Sequence, residues 1–522
     1  MILLLWAAVC FALLVVDWCC WAPNRLDADM ASEQLLANLL AQEGGVMSTN
    51  WYYSTELRVL NTQLVMAPLF RLFTSWHTVR VVGSVVLILL YLAAWFWFGR
   101  SAKLKYSGLL GAGLLVLPYG ALYRQYVLEG LYYIPHIAIS FVVLGCAVRI
   151  LRGGRRLAPA AGMVLFSFAA ALGGPRQLFI LNIPLTVAAA LLCWLDAPPA
   201  DTLRQKLANA WRTPGGALLV PTLAADAAAL AGYLVNAKVL AEKYHFQDQG
   251  YVAFTGLNLD RLQWFVNALL ASFGWQEGKV FSLAALFNLA AAALILFCFV
   301  FSVRLVRGKA RYPLGHRLVG AFFLAGAVCF ALLYGLTNSG HSDRYLLPLA
   351  ILFVPLLEIM LADCTPLHRP DARGLTALLA AILLLRAGTD YRAAAVAANP
   401  NQGAAQFLVQ NGYRDGYASF WDGNVMTELT DGTLNVWTLT PNSVPELRPW
   451  LQVTSHLQTP PQGKIFFVIS KWEAYGERQP TTQALADAMP EDALIYEDAT
   501  VKIYGFASDE AMRQACGFAA FP

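Results

Sequence analysis

Eleven apolar stretches recur along the chain, at 1–18, 78–98, 107–123, 131–150, 158–174, 177–195, 216–236, 279–302, 317–337, 345–362 and 373–388. A hydrocarbon core of ~30 Å needs about 20 helical residues, so the pattern predicts about eleven membrane helices. Between the first two, the spacing changes to amphipathic. In 31–42, Leu35, Leu36, Leu39 and Leu40 oppose Glu33, Gln34 and Asn38; in 55–65, Leu57, Leu60, Leu64 and Val65 lie beside Glu56, Asn61 and Gln63. An apolar stripe under a polar face predicts juxtamembrane helices, lying on the membrane or packed on the bundle. From residue 396 onward the pattern is that of a water-facing domain. Runs at 463–471, 493–496 and 500–506 predict strands, the last two a hairpin over Glu497, Asp498 and Ala499. Segments 403–412 and 480–489 predict helices. The expected fold is mainly α: a polytopic membrane bundle (1–395, with 19–77 as its first outer segment) and a small α+β domain (396–522).

Composition agrees. Of 522 residues, 58% are hydrophobic and 13% charged, against about 45–50% and 25% in soluble proteins. That excludes an ordinary cytosolic enzyme and a disordered chain. A net charge of +4, from 37 basic against 33 acidic residues, gives no basis for a nucleic-acid partner. Five of the nine cysteines lie in apolar runs, where Cys acts as a small hydrophobe. Residues 1–16 lack a basic n-region and a small-residue cleavage site, so they are expected to be a retained span.

Basic residues follow every even-numbered stretch: Arg100, Lys103 and Lys105; Arg149, Arg152, Arg155 and Arg156; Arg204, Lys206 and Arg212; Arg304, Arg307, Lys309 and Arg311; Arg369 and Arg373. Short basic loops stay cytoplasmic. The expected topology in the cell membrane has a cytoplasmic N-terminus and an extracytoplasmic C-terminal domain. The chemically rich segments then lie outside.

Asp27 and Asp29 follow the first stretch, with Glu33 beyond them. A carboxylate at the membrane surface suits a general base that takes a proton from an acceptor hydroxyl. Asp at a helix start equally suits an N-cap, and the residues alone leave both open. Glu129 sits between the third and fourth stretches with Arg124 nearby, and His136 is expected a turn inside the membrane, where an ionisable residue is a functional candidate. A loop salt bridge and an acid that orients substrate both fit. Arg176, His341, Arg344 and Lys243 occur at other outer exits. Arg offers planar, two-pronged phosphate recognition, and each cation alone also fits an interface anchor. Trp51, Tyr52 and Tyr53 fit sugar stacking or the aromatic belt.

In order and placement these residues resemble the GT-C superfamily of membrane glycosyltransferases, in particular the branch with protein mannosyltransferases and the lipid A aminoarabinose transferase. An acidic motif past span one is matched by Asp27, Asp29 and Glu33. The two juxtamembrane helices are matched by 31–42 and 55–65, and a Val-Arg pair entering span two by Val79-Arg80. The tetrad carrying a second acid is matched by Val127-Leu128-Glu129-Gly130. The run opening a late span is matched by Arg344-Tyr345-Leu346-Leu347-Pro348. Asp-Ala-Asp replaces that branch's adjacent Asp-Glu pair, and Glu129-Gly130 replaces its Asp-Pro.

The resemblance implies a sugar donor on polyprenyl phosphate and an inverting transfer to a lipid, glycan or protein hydroxyl. Asp29 or Asp27 would act as base, Glu129 would orient, and Arg344, Arg176 and His341 would steady the leaving phosphate. A divalent cation is compatible with such a site, although no ligand set compels one. A transporter or flippase, with Asp226 as its buried acid, and an O-antigen-type polymerase or ligase are the alternatives.

Overall fold

The computed structural model describes residues 1–521, except 105–107, 154–155, 248–251, 279, 339–341, 364–369, 441–444 and 472–482. His341, Lys105, Arg155 and Arg369 thus lie outside the described residues. The protein is a polytopic helical membrane protein with a small sheet-containing C-terminal region. Among the described residues, nine helices are long and apolar enough to cross a membrane: Ile2–Cys20, Trp76–Ala102, Ile134–Leu151, Leu178–Asp196, Pro214–Lys243, Leu283–Arg307, Leu314–Leu336, Asp343–Ala362 and Gly374–Val396.

Nine of the eleven expected spans are therefore present as such, and two are corrected. The stretch 158–174 forms the 15-residue helix Leu157–Ala171, about 22 Å long at 1.5 Å per residue. The stretch 107–123 breaks into Leu109–Leu115 and Ala121–Tyr123, followed by a wide π-turn over Arg124–Glu129. Pro118 supplies no N–H and disfavours helix at Leu117. At the break, a Cβ on Gly120 would lie 2.8 Å from the Cα of Gly274, itself at φ +95°. Only paired glycines allow that backbone contact.

The described residues form two compact units. The first comprises Met1–Val16, Val85–Val239 and Gly250–Asp390. Its interior holds Trp95 edge-on to Phe141 at 5.2 Å, with Phe98 and Tyr91 alongside. Buried charge is matched within it. Arg317 meets Asp196 in a two-pronged pair at 2.8 and 2.9 Å. Glu358, fully buried, accepts from the Gly111 amide at 2.8 Å in the first turn of Leu109–Leu115, where a helix favours negative charge.

The second unit comprises Asp17–Ser84, Leu240–Gln249 and Tyr391–Pro522. Helix α1 (Ile2–Cys20) leads into it and is followed by α2 (Ala28–Glu43), α3 (Gln63–Phe70) and α4 (Trp76–Ala102). Helix α2 starts three residues earlier than its stripe, because Asp27 caps it. The helix expected at 55–65 is displaced to Gln63–Phe70. Asn61 and Thr62 turn their side chains onto Glu33, and such local bonding competes with helix formation.

Among the described residues, eight strands form two sheets: β1 (Trp51–Tyr53), β2 (His245–Phe246), β3 (Asp415–Ser419), β4 (Asn435–Leu439), β5 (Gln452–Val453), β6 (Ile465–Ser470), β7 (Leu494–Glu497) and β8 (Val501–Phe506). Their orders are β2-β1-β5 and β4-β3-β6-β8-β7. Strand β6 is buried at all six positions, as a central strand covered on both faces should be. Ala404, Leu408, Met426 and Val468 pack one face, and Tyr417, Phe467, Leu485 and Met512 the other. The hairpin β7–β8 forms where the sequence predicts it.

Candidate functional site

The expected site residues fall into two groups, one in each unit. In the second unit, Asp27 is extended (φ −114°, ψ 172°) and its carboxylate accepts from the Met30 amide at 2.9 Å. Capping is its structural role. Asp29 lies in the first turn, where an acid complements the helix dipole, and Glu33 follows one turn later on the same face. Glu33 accepts hydrogen bonds from Asn61 Nδ2 at 2.8 Å and Thr62 Oγ1 at 2.5 Å, with Arg58 3.7 Å away. Burial raises its pKa above the usual carboxylate range. Arg58 and the two hydrogen bonds oppose that shift, and the charge of Asp29 adds to it. Arg58 is the residue that sequence reasoning missed. It lies in a segment read as helix, so nothing marked it as facing an acid across a turn.

The aromatic run 51–53 is strand β1, which pairs with β2 on one side and β5 on the other. Trp51 and Tyr53 are buried, and the Tyr53 hydroxyl accepts from the Ser48 amide at 2.9 Å. Tyr52 is stacked 6.0 Å from His245. Lys243 lies 5.4 Å from the ring of Tyr244, which meets Tyr53 edge-on. Arg80, of the Val79-Arg80 pair, is buried against Glu428.

In the first unit, His136, Arg176 and Arg344 share one neighbourhood built on tyrosines, and Glu129 lies in the same π-turn as one of these rings, Tyr126. Each lies in a turn or at the start of a helix. The π-turn carries Tyr126, and Tyr133 immediately precedes the Ile134–Leu151 helix; their rings are 6.1 Å apart. The Arg344 guanidinium sits 5.1 Å from the Tyr126 ring. Arg176 lies 4.9 Å from the ring of Tyr345, the neighbour of Arg344, and 5.4 Å from Tyr133, whose hydroxyl it also reaches at 3.3 Å. Cation–π contact with a ring face helps to hold a guanidinium in place. Both arginines remain partly exposed.

His136 is fixed by Gln177, Nδ1 to Oε1 at 3.0 Å, and its ring is 6.0 Å from that of Tyr133. Glu129 is buried with Arg124, whose Nε is 3.5 Å from its carboxylate and whose Nη1 is 3.2 Å from Asp390. Arg124 is therefore paired with acids, and Arg176 and Arg344 each lie over tyrosine rings. Among the described residues, no group of three or more His, Cys, Asp or Glu is arranged to hold a metal ion.

No protein-family model matches the chain. No curated protein matches it either. Among solved structures, it is similar to a crystal structure of the oligosaccharyltransferase of Archaeoglobus fulgidus, determined with zinc and sulfate. The identity is 13% and the TM-score 0.45, over 89% of this chain and 67% of that one.

Proposed function

We propose that the protein is a GT-C-type membrane glycosyltransferase that transfers a monosaccharide from a polyprenyl-phosphate donor to an acceptor hydroxyl on the extracytoplasmic side. The observation that carries the reading is the pair Arg176 and Arg344, cradled by Tyr126, Tyr133 and Tyr345 in a membrane-embedded unit. Two guanidiniums gathered on tyrosine rings, with the planar fork that matches phosphate oxygens, suit a phosphate whose lipid stays in the bilayer.

The acceptor oxygen attacks the anomeric carbon as the bond from that carbon to the phosphate oxygen breaks. The electron pair leaves with polyprenyl phosphate, where Arg176 and Arg344 meet the developing charge. The acceptor proton passes to a carboxylate, and Asp29 is assigned that role because Asp27 caps the helix. A phosphate leaves readily, so no general acid is required. Glu129 orients the acceptor.

The test uses the full chain in nanodiscs, a synthetic polyprenyl-phosphate hexose, and membranes of the source cells as acceptor. Arg344→Ala is expected to lower transfer about 10²-fold, the usual loss for one donor at a developing oxyanion. Asp29→Asn is expected to abolish transfer while donor binding persists. Unchanged transfer in both variants overturns the reading.

A further inference from the structure

Away from the acids and arginines, the second unit contains a cleft of about 170 Å³ between the exposed side of α2 and the β4–β5 region. That is many times the space one water needs. Its walls include Trp51 and Trp76, and its polar groups are mostly amides, among them Asn38 and Gln42 from α2 and Asn435 from β4, with Thr427 and His456 beside them. Gln42 and Asn435 are exposed and form its rim. Among the described residues, no Asp, Glu, Lys or Arg lines it.

His456 adds no charge. It stacks 4.0 Å from Trp437, bonds to Gln452 and to Asn435 at 3.3 and 3.0 Å, and burial pushes its pKa down to about 3. Trp51 is fully buried, yet its indole N–H has no hydrogen-bond partner among the described residues. An orphaned buried donor costs about 1–3 kcal/mol.

The chemistry of this lining selects its occupant. A phosphate or carboxylate would find no cation, an amine would find no acid, and a lipid tail would strand the amides. A sugar ring suits both halves, its C–H face lying on the apolar wall of Leu35, Leu39 and Trp76 and its hydroxyls pairing with amides that donate and accept. We propose that this cleft is a binding site for an uncharged carbohydrate, distinct from the transfer residues. The site needs neither donor nor turnover, so it stands or falls independently of the transferase reading.

The test is ligand-observed saturation-transfer NMR on the full chain in nanodiscs, free of sugar-headed detergents. The probes are maltotriose, cellotriose and mannotriose, with trigalacturonate as the charged control. At least one neutral trisaccharide is expected to bind saturably and trigalacturonate is not. Asn38→Leu with Gln42→Leu, on the accessible side of α2, is expected to weaken binding at least tenfold; Trp51→Phe removes only the indole N–H and its fused ring. Should Trp51→Phe fail to fold, the α2 double variant decides alone. Absence of saturable binding by all three, equal binding of trigalacturonate, or binding indifferent to the α2 variant overturns the proposal.

Discussion

The guanidinium of Arg80 meets the carboxylate of Glu428 fork to fork, with both N···O distances 2.6 Å, and a terminal nitrogen of Arg80 also donates to the Met30 carbonyl at 2.9 Å. The start of α4, the first turn of α2 and the helix Phe420–Leu429 are thereby joined at one buried charge pair. A second link runs from Asn424 Nδ2 to Ser32 Oγ at 2.8 Å, so α2 is held from the C-terminal region at two points. Arg80 thus positions the helix that bears Asp29. Removing one partner of a buried pair strands the other charge, at a cost of about 3–5 kcal/mol. Arg80→Leu should lower the unfolding temperature accordingly, and Arg80→Leu with Glu428→Leu should lower it less than either single change. Thermal unfolding of the three variants in nanodiscs checks the order.

Glu33 makes stability depend on pH. Burial raises its folded pKa above the ordinary value of 4.5, so the folded state holds the proton more tightly than the unfolded one. Its contribution is most favourable at low pH and declines as pH rises from about 4.5 through the raised value. Glu33→Gln is expected to remove that decline and to gain stability relative to wild type toward neutral pH. Denaturation midpoints of both proteins across pH 4–8 check this, and parallel curves would refute it.

His456 acts in the opposite direction. With its folded pKa lowered to about 3 from 6.5, the unfolded chain binds the proton first. Stability is therefore lost as pH falls from 6.5 toward 3, at about 1.4 kcal/mol per pH unit. His456→Gln keeps a hydrogen-bonding side chain and should flatten this acid limb while leaving the Glu33 slope intact. The same midpoint series on that variant separates the two groups.

Membrane helices were legible in the sequence because length and apolarity specify them directly. The failures have local causes. At 107–123, composition reads as a span, but Pro118 and the contact between Gly120 and Gly274 set the chain's path. At 55–65, the Leu spacing is helical, but Asn61 and Thr62 bond to Glu33 instead. Strands β3 and β4 escaped notice because β3 begins Asp415-Gly416 and β4 begins with Asn435, residues that usually mark turns. The site was legible by residue type. Glu129, His136, Arg176 and Arg344 were singled out as candidates, but the tyrosine rings that gather the two arginines were not. Pairings between distant segments leave no periodic signal.

Arg124 answers two acids at once, Glu129 at 3.5 Å and Asp390 at 3.2 Å, while Arg386 lies one turn before Asp390 on the same helix. The two ways of breaking the Arg124 pairs differ. Glu129→Gln leaves Arg124 its partner Asp390 and keeps a polar group at the π-turn, so the loss should stay near 1–2 kcal/mol. Arg124→Leu takes the shared cation from both Glu129 and Asp390, and should cost about 3–5 kcal/mol. Thermal unfolding is expected to rank Arg124→Leu well below Glu129→Gln. Transfer is expected to fall in Glu129→Gln despite its near-native unfolding temperature, because an acid that orients an acceptor acts through its charge. If transfer instead follows the unfolding temperature in both variants, Glu129 only holds Arg124, and the acceptor is positioned by other residues.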